Sequence, residues 1–459
     1  MLDPTILIVF GATGDLVNKK IIPSIYNLYK EKKLPEKFKV LAFARRDFKD
    51  GKYNEIISES LKNYGSLNGD EDLTEFFTLF KYHQGNFDDL SAVQGLGEEL
   101  KVIDNEFSVS ANKLFYLAVP PDYYEELFNN IHESKIPEQQ GISRILVEKP
   151  FGSNLESAQK LDELLGKLFK EEQIFRIDHY LGKEALQNIL TFRFSNVLFE
   201  PVWSNKYIEK IEIRTLESVG VEKRGEFYDK VGALRDVGQN HLLQMLAFIT
   251  MENPEGKDIR TERANLLEKL IPLSDEDVKS KTYRAQYEGY KEIENVDPNS
   301  KTETYFRLSC GLNSERWSGV EIVLEAGKKL ASATKEIIIL FRPVGNNVRN
   351  KIIFSIEPTE EIKIKFLSNE SGDKSAKSEK TLDFNFRATA EKKQYVEEYA
   401  QLFLDAINGD MMSFISSQEV NAMWRFIDSV KDGWDKDLVP LNTYKPGENI
   451  VAEGYSYNL

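Results

Sequence analysis

The first part of the chain alternates short apolar runs with amphipathic segments, which is the pattern of strands connected by helices. Residues 5–10 (TILIVF) form an apolar run that is typical of a buried parallel strand. Ile21, Ile25 and Leu28 follow at helical spacing. Further strands are predicted at residues 39–44, 113–119 and 144–148. Helices are predicted over much of 49–104, between the last two strands and at 154–169. This alternation predicts an α/β domain built on a doubly wound, Rossmann-like parallel sheet.

The pattern changes after residue 178, where strands begin to follow one another without helices between them. A helix at 183–194, a strand at 208–216 and a helix at 237–250 come first. Six strands are then predicted at 304–310, 320–324, 336–342, 352–357, 362–366 and 382–386. A charged loop is expected at 374–380, and helices at 391–407 and 417–431 close the chain. The succession predicts a large, mainly antiparallel sheet with helices, an α+β arrangement. We therefore expect two domains, residues 1–178 and 179–459.

Composition narrows the class of protein. The 459 residues carry a formal net charge of −15 and no basic face of domain size, so nucleic acid is not an expected partner. No apolar run approaches the roughly 18 residues of a membrane helix, and the N-terminus lacks the features of a signal peptide. We expect a cytoplasmic protein without a membrane partner. The single cysteine, Cys310, excludes a disulfide framework and a cysteine-based zinc site, and we expect no metal.

A glycine-containing turn directly follows the first predicted strand and opens the first predicted helix. Such a turn lets the backbone approach a pyrophosphate, whose charge the helix N-terminus then accommodates. The spacing is Gly-x-x-Gly, with Val17 in the last place of the full motif, so an ordinary strand-to-helix turn is the alternative. The predicted cofactor-binding residues here are Gly11, Ala12, Thr13, Gly14, Asp15 and Leu16.

The end of the second predicted strand bears on the choice of dinucleotide. Arg45 and Arg46 lie where the ribose 2′ position is recognised, and Asp47 follows them. Arginine there suits the phosphate of NADP, whereas an acidic residue favours the hydroxyl of NAD. We predict NADP as the preferred cofactor, with NAD as a possible substitute; arginines that merely face solvent on a loop are the alternative.

Two later segments carry candidate catalytic and binding side chains. In the first, EKPFG, Lys149 ends a predicted strand, where it can contact both cofactor and substrate. The X-Pro bond after it is a candidate for the cis form. The second, RIDHYLGKE, places Asp178, His179, Tyr180 and Lys183 just before a predicted helix. The last three can donate hydrogen bonds to a phosphate near a helix start. Simple helix capping is the alternative for any one of them.

A third segment, RDVGQNHLLQ, contains the candidate general base. Asp236 and Gln239 match a capping box, so a purely structural role is open to Asp236. His241 is one of only four histidines, and it lies in a polar run near the predicted helix start. Asp178 is available to hold its imidazole, which makes His241 the best candidate base. A hydrogen-bonded core histidine is the alternative.

Together these segments resemble glucose-6-phosphate dehydrogenases. GATGDL, EKPFG, RIDHYLGKE and RDVGQNHLLQ occur in the order of that family. Shorter matches at Gln286-Tyr287, 302–304, Arg316-Trp317 and 327–330 extend the resemblance over most of the chain. The resemblance implies a Rossmann-like coenzyme domain, a large β+α domain, and a homodimer, or dimer of dimers, formed through the large sheet. It also implies NADP-dependent oxidation of glucose 6-phosphate, or a close hexose phosphate, to the lactone, the first step of the oxidative pentose phosphate pathway.

The resemblance also implies a role for each matching residue. His241 is the base and Asp178 its carboxylate partner. The phosphate contacts are His179, Tyr180 and Lys183. The remaining substrate contacts are Glu217 and Asp236 to sugar hydroxyls, Lys149 as a bridge to the cofactor, and Lys328.

Two positions depart from the family pattern. Where the family commonly has a second basic residue beyond the match to Lys328, this chain has Ala333, and the nearest amine is Lys335. Where the family often has Gln before a proline, this chain has Glu357. A carboxylate there could change the contact with the sugar or repel its phosphate, so these positions concern the sugar preference and leave the chemistry intact.

Two other functions fit parts of the sequence. Dehydrogenases of the glucose–fructose oxidoreductase type also carry Glu-Lys-Pro after a Rossmann domain, but they lack a segment like RIDHYLGKE. A catalytically silent dinucleotide sensor would be favoured by loss of His241 or Asp178, and both are present.

Overall fold

The computed structural model describes residues 2–48, 51–65, 67, 71–343, 349–370, 373–387, 394–449 and 451–452. The chain forms two compact units. The N-terminal unit comprises Met1–Gly152, Glu156–Gly182 and Lys392–Ser417; the C-terminal unit comprises Ser153–Leu155, Lys183–Glu391 and Gln418–Leu459. The predicted division at residue 178 assigned the helix Gln394–Asn408 and the strand Phe414–Ile415 to the second domain, whereas both belong to the N-terminal unit. Within the described ranges, no helix combines the length and apolar character needed to cross a membrane.

The N-terminal unit is built on a seven-stranded sheet. Its strands are β1 (Thr5–Phe10), β2 (Phe38–Ala44), β3 (Phe80–Gln84), β4 (Asn112–Leu117), β5 (Ser143–Val147), β6 (Ile174–Ile177) and the short strand Phe414–Ile415. The order is Phe414–Ile415, β6, β5, β4, β1, β2, β3. β1 to β6 are parallel, and only the short strand pairs antiparallel. The six parallel strands have the Rossmann order, which confirms the predicted fold class for this unit.

Helices cover the sheet and complete its core. They are Ile22–Lys30, Lys52–Tyr64, Thr74–Phe77, Leu90–Phe107, Tyr124–Ser134, Leu155–Gly166 and Gln394–Asn408, with a π-helical turn at Val17–Ile21. Shorter 3-10 turns are Pro121–Tyr123, Ile136–Glu138, Glu171–Gln173 and His179–Gly182. One continuous apolar cluster joins Leu7 and Val9 of β1 to Leu402, Phe403 and Ala406 of the helix Gln394–Asn408. The C-terminal part of the chain therefore supplies core residues to the N-terminal unit.

The C-terminal unit is built on a nine-stranded sheet. Its strands are β7 (Ile208–Leu216), β8 (Thr282–Tyr287), β9 (Tyr305–Cys310), β10 (Glu321–Gly327), β11 (Thr334–Phe341), β12 (Lys351–Glu357), β13 (Glu360–Glu370), β14 (Asp373–Arg387) and Leu441–Tyr444. The order is β14, β13, β12, β11, β7, β10, β9, β8, Leu441–Tyr444. Only the pairs β7–β10 and β8 with Leu441–Tyr444 are parallel. The mainly antiparallel sheet confirms the second part of the predicted fold class.

Helices of this unit carry several site residues. They are Glu184–Phe194, Gly225–Ala233, Leu243–Thr250, Ile259–Leu267, Asp275–Lys281 and Ser417–Asp435, with a π-helix at Leu234–Leu242. The 3-10 turns are Glu200–Val202, Glu222–Arg224, Tyr290–Glu292 and Glu315–Trp317. One predicted feature was wrong: residues 374–380 are not a loop but part of β14, whose pairing with β13 extends to Asp373. β14 ends the sheet, and charged side chains are common on such an edge strand.

Candidate active site

The predicted dinucleotide turn lies at the switch point of the N-terminal sheet. β1 pairs with β2 on one side and with β4 on the other, and ligands of such sheets bind at this reversal. Gly11 follows β1 with φ 81°, and a Cβ there would lie 2.4 Å from the carbonyl oxygen of Ala118. Only glycine fits this position. The N–H of Gly14 donates to the carbonyl of Gly11 at 2.9 Å.

The same turn fits a pyrophosphate. Among the described residues, the backbone N–H of Thr13 has no hydrogen-bond acceptor. The helical stretch that follows adds the free N–H groups of a helix start. Asp15 points into solvent and pairs with Lys19 at 2.7 Å. The backbone of this turn therefore has a donor that a pyrophosphate could use, and pyrophosphate binding here stays a prediction.

Arg45 and Arg46 follow β2, which is the neighbour of β1. Both side chains are exposed, and neither guanidinium is ion-paired within the described part of the chain. The Tyr82 hydroxyl donates to the carbonyls of Ala44, at 3.0 Å, and of Arg46, which holds the backbone of this loop. Both guanidinium groups are thus available to an anion beside the switch point.

Lys149 and Asp178 follow two neighbouring parallel strands, β5 and β6, and so lie at the same edge of the sheet. The Lys149–Pro150 bond is cis. The preceding residue, Glu148, accepts hydrogen bonds from the hydroxyls of Tyr116 and, at 3.0 Å, Tyr399. Burial raises the pKa of Glu148 although both tyrosines and Lys149 oppose the shift. Neither tyrosine could be identified from the sequence, since Tyr399, for example, lies about 250 residues away and reaches Glu148 only through the fold.

Asp178 begins the short helix His179–Gly182. Its carboxylate accepts the N–H of Tyr180 at 3.0 Å, and its carbonyl accepts the N–H of Leu181 at 2.9 Å. Asp178 and Tyr180 are buried and His179 is half-buried, with the two rings 5.1 Å apart. The capping alternative therefore applies to Asp178, which uses one carboxylate oxygen for it.

In the C-terminal unit, a second group of predicted residues surrounds one buried ammonium. Lys328 follows β10 and Glu217 follows β7, and these parallel strands end side by side at Gly327 and Leu216. The Lys328 ammonium pairs with the Glu217 carboxylate and lies 3.8 Å from that of Asp236. It also lies 5.3 Å from the centre of the Tyr228 ring, a neighbour that the sequence did not indicate. Two carboxylates and an amine in one place suit a polyhydroxy ligand.

Asp236 and His241 lie in a helix whose start differs from the prediction. Gly232, with φ 73° and ψ 171°, interrupts the helix, which resumes at Ala233. The buried Glu303 carboxylate accepts the N–H of Leu234 at 2.9 Å and so caps this start. The capping box predicted at Asp236 is therefore wrong, since Asp236 lies inside the first turn.

The winding of this helix changes how its polar side chains align. Leu234–Leu242 is π-helical, with hydrogen bonds between residues five apart. This winding turns Asp236 and His241 closer to one face than an α-helix would. His241 is buried, with 3% of the residue exposed. Its backbone N–H donates to Oδ1 of the Asn240 side chain at 2.6 Å. π-Helical turns of this kind are frequent at functional sites.

Lys183 forms a separate cluster in the same unit. It occupies the N-cap position of the helix Glu184–Phe194 without a side-chain capping bond, and its buried ammonium lies 2.7 Å from the Glu357 carboxylate. Lys335 contacts the other oxygen of Glu357 at 2.5 Å. Burial favours the neutral form of Glu357, but the two lysines prevail and lower its pKa. Ala333 is exposed. The two departures from the family pattern, at positions 333 and 357, are thus connected. Glu357 binds Lys335, which is the amine nearest to position 333 in the sequence.

Comparison with known proteins gives one consistent result. The family models for the NAD binding domain and the C-terminal domain of glucose-6-phosphate dehydrogenase match residues 8–188 and 190–455. The glucose-6-phosphate 1-dehydrogenases of Aggregatibacter actinomycetemcomitans and Chlamydia muridarum are 38% and 36% identical to this chain. The matches cover 92% and 94% of this chain and 90% and 91% of those proteins. A solved structure of glucose-6-phosphate dehydrogenase in complex with its substrate glucose-6-phosphate superposes with a TM-score of 0.88 at 31% identity, covering 98% of this chain and 96% of that one.

Proposed function

Since this chain belongs to the glucose-6-phosphate dehydrogenase family, we propose that it oxidises glucose 6-phosphate at C1 to the 6-phosphogluconolactone. The observation that carries the proposal is the group of Glu217, Asp236 and Lys328, one π-helical turn from the buried imidazole of His241. This group combines hydrogen-bonding partners for a sugar with a candidate base. The family match over most of the chain favours this function over a glucose–fructose oxidoreductase type or a silent sensor.

In the proposed reaction, His241 removes the proton of the C1 hydroxyl. A nicotinamide dinucleotide held by the turn from Gly11 to Leu16 would supply the acceptor for the hydride of C1. On the family resemblance alone, Asp178 orients this imidazole and stabilises its cationic form. Glu217 and Asp236 accept hydrogen bonds from sugar hydroxyls, while Lys328 holds their carboxylates in place and contacts the substrate. Positioning and a base suffice for hydride transfer, so the proposal includes no metal.

The phosphate and the cofactor complete the assignment. His179, Tyr180 and Lys183 are proposed to bind the substrate phosphate, and Lys149 to bridge substrate and cofactor. The turn from Gly11 to Leu16 is proposed to bind the pyrophosphate of the dinucleotide. NADP is proposed over NAD because the guanidinium groups of Arg45 and Arg46, which have no ion pair among the described residues, follow β2, where the adenosine ribose binds in such sheets.

The function is tested by following nicotinamide reduction with a panel of sugars and sugar phosphates, each with NADP and with NAD. We expect glucose 6-phosphate with NADP to give the highest kcat/KM. His241→Asn should lower kcat by about 10²–10⁴-fold, the usual contribution of a general base, with substrate binding nearly unchanged. Near-normal turnover of His241→Asn at neutral pH would refute the assignment of the base.

We also propose a location and an assembly for the protein. A buried lone thiol, Cys310, suits the reducing cytosol, and cell fractionation would test this. A homodimer through the large sheet is supported by Leu382 and Phe384 of β14, which are 49% and 51% exposed. Analytical ultracentrifugation of the parent and of a variant with both side chains changed to Ser would test it.

A further inference from the structure

Strand register and helix position place Lys183, Glu357 and Lys335 together as one ion cluster. Lys335 of β11 and Glu357 of β12 are partners in the antiparallel register. Lys183 approaches the same carboxylate from the start of the helix Glu184–Phe194. The side chains of Lys183, Lys335 and Glu357 are 0%, 9% and 18% exposed. Each ammonium binds a different oxygen of the one carboxylate.

This arrangement matters because of the ligand proposed for Lys183. A sugar phosphate carries close to two negative charges, and its oxygens bind ammonium groups in the same way as a carboxylate does. The three side chains together carry one net positive charge, whereas the two lysines alone would carry two. The Glu357 carboxylate is therefore an anion of the protein itself that binds the same two ammonium groups as a phosphate would.

We propose that Glu357 is a specificity-determining residue that competes with the substrate phosphate for Lys183 and Lys335. Lys335 thereby becomes a phosphate-binding residue in its own right, in place of the basic residue that position 333 lacks. The inference rests on the proposed function, because it takes the ligand of Lys183 to be a phosphate. Its consequence is a smaller preference for phosphorylated over free hexose than the two lysines would give without the carboxylate.

The test uses the full-length enzyme and three variants that change the local charge by known steps. Relative to the parent, Glu357→Gln raises the local charge by one, Lys335→Met lowers it by one, and the double variant leaves it unchanged. With one charge added at the effective dielectric of protein surfaces, we expect Glu357→Gln to lower the KM for glucose 6-phosphate about tenfold. Lys335→Met should raise it, and the double variant should lie near the parent. The KM for free glucose should change little in all three.

The control is Glu361→Gln, which removes a carboxylate four residues further along that is bound to Lys363 instead. It should leave both KM values near those of the parent. If Glu357 instead accepts a hydrogen bond from a sugar hydroxyl, Glu357→Gln would raise the KM for glucose and for glucose 6-phosphate alike, and the proposal would be overturned. An unchanged KM for glucose 6-phosphate in a folded Glu357→Gln enzyme would overturn it as well.

A binding measurement separates this inference from the proposed function. Inorganic phosphate is titrated into each variant, and the rise in melting temperature is recorded. Glu357→Gln should be stabilised by lower phosphate concentrations than the parent, and Lys335→Met by higher ones. This order would hold even if no sugar phosphate were oxidised, in which case only the proposed reaction fails. Equal phosphate responses in parent, Glu357→Gln and Lys335→Met would refute the competition.

Discussion

Glu303 offers the sharpest test of how the helix bearing Asp236 and His241 is held. Its buried carboxylate accepts the N–H of Leu234 at 2.9 Å, and its carbonyl accepts the N–H of Ala233 at 3.0 Å. The variant Glu303→Ala removes the side-chain cap, whereas Glu303→Gln keeps an oxygen acceptor of the same shape without the charge. The pair therefore separates the hydrogen bond from the charge.

The expected cost of Glu303→Ala follows from these contacts. Loss of a helix cap costs about 1 kcal/mol, and a buried N–H left without a partner costs about 1–3 kcal/mol. Since both figures describe the one hydrogen bond to Leu234, we expect a loss of about 1–3 kcal/mol in unfolding free energy. The kcat should fall too, because the start of the helix that positions Asp236 and His241 is loosened. Glu303→Gln should retain most of the stability and activity.

The pH dependence of the unfolding free energy is a second, independent test of the burial of Glu303. Burial raises the pKa of Glu303 above its ordinary value of 4.5, against smaller opposing effects of backbone hydrogen bonds and Arg235. A raised folded-state pKa contributes stability that is present below the unfolded pKa and is lost as the pH rises through the folded pKa. Glutamine does not titrate, so the stability of Glu303→Gln relative to the parent should increase from pH 4 upward.

Urea unfolding of parent, Glu303→Gln and Glu303→Ala between pH 4 and pH 8 measures all of this. Glu288→Gln is the matched control, because Glu288 is exposed and its substitution should give no such trend. A relative stability of Glu303→Gln that stays constant or falls with rising pH would refute the burial argument. A Glu303→Ala enzyme as stable as Glu303→Gln would refute the capping role.

Three further predictions concern separate parts of the molecule. Arg45→Ala or Arg46→Ala should raise the KM for NADP far more than that for NAD; if both variants keep the parent's ratio of kcat/KM values, the 2′-phosphate is bound elsewhere. His179→Ala should raise the KM for glucose 6-phosphate more than that for free glucose, and equal losses would exclude a phosphate contact. Glu419→Ala should lower the unfolding free energy by about 3–5 kcal/mol, because it leaves Arg263 buried without the carboxylate that lies 2.7 Å from it, and a urea midpoint within error of the parent's would contradict this.

Two of the strands that the sequence predicted are recognisable because they are buried along almost their whole length. β1 and β2 are almost wholly buried, and their apolar runs stand out. β3 is half-exposed along its length and lies in a stretch predicted to be helical, so it carries no such run. The dinucleotide turn could also be recognised locally, because the backbone at position 11 leaves no room for a Cβ and the residue there is therefore glycine.

The supports of the site could not be predicted, because they join residues that are distant in sequence. Nothing near Leu234 indicates that Glu303 caps its helix, and nothing near Glu148 indicates Tyr399. The π-helical winding around Asp236 has no local signal either, and the capping box there matched by residue type alone. The sequence did indicate Glu357 as unusual. Its contacts with Lys335 and Lys183 could not be predicted, because they depend on the register of the sheet and the position of a helix.

The late position of the helix Gln394–Asn408 has a consequence for biosynthesis. Its side chains belong to the core that covers β1, and the strand Phe414–Ile415 covers the edge of β6, yet both are synthesised long after β6. At the usual 5–20 residues per second, a ribosome needs roughly 10–50 s to travel from residue 182 to residue 417. Throughout that interval the nucleotide-binding unit exposes apolar surface and an unpaired strand edge, the features that attract aggregation and chaperones. Nascent chains stalled before residue 394 should therefore be cleaved by protease within the N-terminal unit, and chains released after residue 417 should resist.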